Sequence, residues 1–99
     1  MLVHTVFFWL KKDAPAGARE TLVRECNTYL RTSAVKHLWA GPPAPTPVRD
    51  VIDASYDVGL TVVFDGVKEH DAYQEDPKHL EFIARNKATW ERVRVYDVQ

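Results

Sequence analysis

Much of what would announce a function is missing from this 99-residue chain. It has one cysteine, Cys26, so no intrachain disulfide and no paired-thiolate metal site can form. The four histidines, His4, His37, His70 and His79, show no His-x-x-x-His spacing. No metal site is therefore expected, spacing being silent only on a ligand set gathered from distant residues. Gly17, Gly41, Gly59 and Gly66 stand apart, which rules out a glycine-rich phosphate loop, and no cofactor is expected. Ser33 and Ser55 fall in connections with no nucleophile-elbow context, so a Ser-His-Asp hydrolase has weak support. Charge of one sign is also lacking. Thirteen basic against fourteen acidic side chains leave a net charge of −1, with no pull toward nucleic acid or an anionic membrane. Arg85, Lys87, Arg92 and Arg94, set against Glu81, Glu91 and Asp97, read as an ordinary solvated face. The apolar run Leu2 to Leu10 is too short to span a bilayer, and its lysines follow it rather than precede it, the wrong order for a secretory signal. With Cys26 set beside Leu22, Val23 and Leu30 as a small buried hydrophobe would be, the reading is a cytoplasmic protein in a reducing compartment.

What is present is a regular alternation of elements within one domain. Residues 2–11 are rich in valine, phenylalanine and tryptophan, as strands are. One face of that strand carries Leu2, His4, Val6, Phe8 and Leu10, the other Val3, Thr5, Phe7 and Trp9. Both faces are apolar. Start signals at Asp13, Ala14 and Pro15 precede a helical pattern through Ala18, Leu22, Val23, Cys26, Tyr29 and Leu30 to about Thr32. Val35 to Ala40 reads as a second strand and Tyr56 to Phe64 as a third. Between them, 42–55 is a proline-rich stretch without periodicity, a candidate lid over a pocket. A short helix over 67–75, a longer one from Pro77 to about Trp90, and a last strand through Val93, Val95, Tyr96 and Val98 complete the order. Strand, helix, strand, strand, broken helix, strand predicts an α+β fold: a ferredoxin-like four-stranded antiparallel sheet with helices on one face. The uncovered face then needs a second copy, so a homodimer with Val3, Thr5, Phe7 and Trp9 in its interface is expected. Of the other tryptophans, Trp90 reads as core and Trp39 as undecided, beside the long loop.

The break in the second helical region carries the chemistry. Pro77 suits a first helical position and Asp76 the cap before it, which puts His79 in a first helical turn, where the macrodipole favours a neutral ring. Tyr73 ends the preceding helix, so the corner brings a phenol and an imidazole toward one mouth, a pairing that acid/base chemistry uses. An aromatic and a histidine packed at the edge of a core would read the same way.

Taken together, His4-x-Val6-x-Phe8, Gly41, the run ending at Phe64, and Tyr73-x-x-x-Pro77-x-His79-x-x-Phe82 resemble the stress-responsive A/B barrel (Dabb) family over essentially the whole chain. The resemblance implies a dimeric α+β barrel with a cavity between sheet and helices. In a plant cyclase branch of that family, a tyrosine and a histidine close a linear polyketide; they match Tyr73 and His79 by position, and a first-strand histidine matches His4. A further cavity histidine of that branch falls at Val58, and the first histidine of the family's His-Pro-x-His is Asp76 here, departures that point to a different ligand. The implied small-molecule ligand would meet Phe8, Val58, Leu60, Trp39 and Ile83, with Tyr73, His79 and His4 as catalytic groups in a pocket of about 300 Å³ or more. Three functional classes follow: a cofactor-free lyase, cyclase or isomerase; a non-catalytic stress-related or ligand-carrying oligomer; and, by fold analogy alone, a cofactor-less monooxygenase.

Overall fold

In the computed structural model, which describes all 99 residues, Leu2–Leu10 forms a strand (β1) in the interior of a four-stranded antiparallel sheet. Helix α1 (Ala18–Tyr29), strands β2 (His37–Gly41) and β3 (Val58–Phe64), helices α2 (Val67–Glu75) and α3 (Pro77–Asn86), a 3-10 turn at Lys87–Thr89 and strand β4 (Trp90–Val98) follow. The sheet order is β2-β3-β1-β4, the ferredoxin-like arrangement that the order of elements predicts.

The alternation in β1 decides which side the helices take. Leu2, His4, Val6 and Phe8 are buried and stand opposite Phe64, Val62, Leu60 and Val58 of β3. The apolar ones among them, with Leu22, Cys26 and Leu30 of the α1 region, Leu38 of β2, Tyr73 of α2 and Phe82 of α3, form the core. Burying a side chain such as Phe8, only 3% exposed, contributes about 1.5–3 kcal/mol. The opposite face is half-covered: Phe7 packs on Tyr56 at 4.7 Å between ring centroids, and Trp9 donates its indole N–H to Ser55 Oγ and lies under Arg92. Gly59 makes that packing fit, because a Cβ there would come within 3.3 Å of the Tyr56 ring.

Several boundaries differ from the periodicity. Helix α1 starts at Ala18 rather than near Asp13, because Gly17 adopts φ 81°, a left-handed conformation that interrupts the run. β2 starts two residues late and ends at Gly41, and β3 starts at Val58, Tyr56 being recruited to the outer face instead. α3 stops at Asn86, so Trp90 opens β4 rather than closing a helix, and still packs against the core. The Asp76–Pro77 corner forms as expected. Asp76 Oδ1 accepts from the Lys78 amide at 2.8 Å, and Pro77 occupies the first turn. The nearly buried Glu25 of α1 ties that helix to α3 through Arg85, at 2.6 Å.

Removing the cap tests the corner: Asp76→Ala should lower unfolding free energy by about 1 kcal/mol in urea titrations, with Asp76→Asn close to wild type. Equal losses in both would show that the side-chain acceptor is not what holds it.

Candidate functional site

A cavity of about 160 Å³ opens between the inner faces of β1 and β4 and the α2–α3 corner. Its polar lining is His4, Tyr73, Gln74 and His79; Phe8, Phe82 and Trp90 are among its apolar walls. Val93 and Val95 of β4 form its open side, being 38% and 49% exposed. Tyr73, 1% exposed, and His79, 8% exposed, sit with ring centroids 4.5 Å apart, one from each side of the proline corner.

Burial sets their protonation. The Tyr73 phenol is pushed well above its usual pKa by desolvation, so it stays protonated and can only donate at neutral pH. His79 is held below its ordinary value, first by desolvation and then by the nearby His4; the Gln74 backbone carbonyl and Asp76 work in the other direction, and His70 adds a small lowering. Its ring is therefore neutral. Its Nδ1 is buried without a hydrogen-bond partner, and so is the indole N–H of Trp90 in the same wall. A buried polar atom left unpaired costs about 1–3 kcal/mol, and the Thr32 hydroxyl, away from the cavity, is in the same state.

His4 enters from β1. The sheet register sets Asp97 of β4 beside it, and His4 Nδ1 donates to Asp97 Oδ1 at 2.5 Å. Desolvation lowers the pKa of His4 more than the Asp97 hydrogen bond and charge raise it; His70 adds a further lowering. His70 of α2 lies at 5.1 Å, centroid to centroid, from His4. Cys26 is fully buried with its thiol pushed up to about 12, inert as a nucleophile.

The sequence pattern of the stress responsive A/B barrel domain (Dabb) matches residues 2–99. The chain belongs to the Dabb family. No functionally curated protein matches the sequence. Among solved structures, a Dabb protein of Mesorhizobium loti with a ferredoxin-like fold is 21% identical, TM-score 0.77, covering 99% of this chain and 94% of its own. A dimeric ferredoxin-like protein of unknown function from Thermobifida fusca is 15% identical, TM-score 0.81, over 98% and 88%. The hydroxynitrile lyase of Passiflora edulis is 18% identical, TM-score 0.78, over 98% and 90%. At these identities the likeness is one of fold.

Within this Dabb chain, Tyr73, His79, His4, Phe8, Leu60 and Ile83 meet at one cavity. Two expected lining residues do not. Val58 is fully buried beneath it, and Trp39, 61% exposed, lies on the opposite sheet face, where it stacks on His37. The loop after Gly41 is not a lid on this cavity either: Pro42, Ala44 and Trp39 line a separate hollow on the outer face, with Thr5, Phe7 and Tyr56. The cavity is about half the size expected, because Phe8, Phe82 and Trp90 fill much of the space, their rings 4.9–6.3 Å apart. Asp97, read from the sequence as part of a solvated face, turns inward to His4, and Trp90 joins the wall. His70 carried one legible signal, the helical spacing to Tyr73 and Gln74.

Because His4 and His79 are both held below 6.5, the unfolded chain takes up protons that the folded chain refuses as pH falls past that value. Their contribution is complete above it and lost below. Thermal unfolding followed by tryptophan fluorescence from about pH 7.5 to about pH 5 should show a declining midpoint, with a shallower decline in His79→Gln. Parallel curves for the two proteins would overturn the assignment.

Proposed function

We propose that this Dabb protein is a cofactor-free small-molecule enzyme of lyase, cyclase or isomerase type, with His79 as general base and Tyr73 as hydrogen-bond donor to a developing oxyanion. The observation that carries the reading is the meeting, at the cavity wall, of a neutral His79 ring with a phenol that remains protonated, 4.5 Å apart between ring centroids. In a cleavage, His79 takes the proton of a substrate hydroxyl, the carbonyl forms, and the electron pair of the broken carbon–carbon bond leaves on a carbon that is then reprotonated. In a ring closure the base takes a proton from carbon, the resulting enolate attacks a carbonyl, and the alkoxide so formed takes the proton back from the imidazolium. His4, held by Asp97, is a second imidazole across the cavity. The likeness to a hydroxynitrile lyase agrees with this class of chemistry.

The 160 Å³ volume favours a compact substrate, or the reacting end of a longer one, since small-molecule sites usually start near about 300 Å³. It also supports a second reading, a non-catalytic ligand-carrying or stress-related oligomer. A panel of aliphatic and aromatic cyanohydrins and β-hydroxy ketones separates the two. Turnover by wild type should fall roughly 10²–10⁴-fold in His79→Ala, and by a smaller factor in Tyr73→Phe. Turnover equal in all three proteins would remove the pair from the chemistry. Uptake of compounds without turnover would favour the carrier.

The working unit in this reading is a cytoplasmic homodimer whose subunits meet through Val3, Thr5, Phe7 and Trp9, supported by the half-covered apolar side of the sheet and by a neighbour named as dimeric. Phe7→Asp or Trp9→Asp should give monomer or aggregate in light scattering. An unchanged dimer would put the interface elsewhere.

A further inference from the structure

We propose that His4, His70 and Asp97 form a binding site for a divalent first-row transition-metal ion beside the cavity. Three elements supply them. His4 comes from β1, His70 from α2 and Asp97 from β4, and one ligand atom of each lies within 4.8 Å of the other two.

The two imidazoles meet edge to face, 62° between planes, and Asp97 is brought to His4 by the sheet register rather than by a mobile tail. His70 is already oriented as a ligand. Its Nδ1 donates to Asp71 Oδ1 at 3.0 Å, and since a carboxylate only accepts, Nε2 keeps the lone pair. A carboxylate behind a histidine fixes the tautomer and ring angle of metal ligands in this way. The only group found against that Nε2 is the Gln74 amide, at 3.5 Å, too far for a firm hydrogen bond.

Metal bonds to imidazole and carboxylate run about 2.0–2.2 Å, which sets ligand atoms on one ion roughly 3 Å apart. Closing the cluster to that spacing requires movements under about 2 Å, for which Asp97, its side chain 42% exposed, has room, and the ion must displace the His4 Nδ1 proton now shared with Asp97 or take the ring by Nε2. Two nitrogens and one carboxylate suit zinc, cobalt, nickel or iron rather than magnesium or calcium, which take oxygen ligands. Three protein ligands leave coordination positions free. The site stands independently of the reading of Tyr73 and His79; with an ion bound, only His4 is withdrawn from the cavity's acid/base groups.

Untagged full-length protein titrated with Co²⁺ should develop visible d–d absorption saturating at one ion per chain, displaced by Zn²⁺. His70→Ala and Asp97→Asn should each weaken Zn²⁺ binding by at least about tenfold in calorimetry, with His37→Ala and Tyr73→Phe at wild-type affinity. Zn²⁺ should also shift the ring resonances of His4 and His70, but not His37, in the unmutated protein. No saturable binding, unchanged affinity in His70→Ala, or shifts confined to His37 would each overturn the proposal, leaving the trio as a hydrogen-bonded network only.

Discussion

The constraint on which this structure turns is the position of β1 between two partners. It pairs with β3 on one edge and β4 on the other, so its side chains have no freedom to choose a face. A slip of one residue would carry Phe8 and Val6 out of the core and put Thr5 and Phe7 in. It would also move His4 away from Tyr73 and separate it from Asp97. Core and polar site are therefore specified together, by one register.

The polar side chains near that core have unequal settlements with it. Glu25 is nearly buried and meets Arg85 at 2.6 Å, and His4 meets Asp97. Both are paired. His79 instead keeps an unpaired nitrogen, and the ring stays neutral because desolvation outweighs what Asp76 and Gln74 offer. An unpaired atom in a domain this small is a sizeable fraction of its whole stability, which rests on about 5–15 kcal/mol. Such a cost is common where a fold keeps a site ready for a ligand.

How far the sequence could be read follows from the range of the forces involved. The strand alternation and the Asp76–Pro77 corner are local, and both were legible: the first gave the sheet and the inner position of His4, the second the approach of Tyr73 and His79. Asp97 and His70 were not. Asp97 lies near the far end of the chain from His4, and only the β1–β4 register, including an irregularity between Trp9 and Leu10, decides that it turns inward. Trp39 was set on the wrong side for a related reason, since β2 is short and its facing depends on pairing with Thr61 rather than on its own pattern. The long connection had no periodicity to read, and its start, Pro42 and Ala44, lines a hollow on the outer face with Tyr56 and Gly59.

The pairing of β1 with β4 also orders events during synthesis. When β1, α1, β2 and β3 have left the ribosome, one edge of β1 is still bare, and it stays so until Trp90–Val98 arrives. Until then the nascent sheet carries an open hydrogen-bonding edge next to apolar side chains, the kind of surface that recruits stray strands.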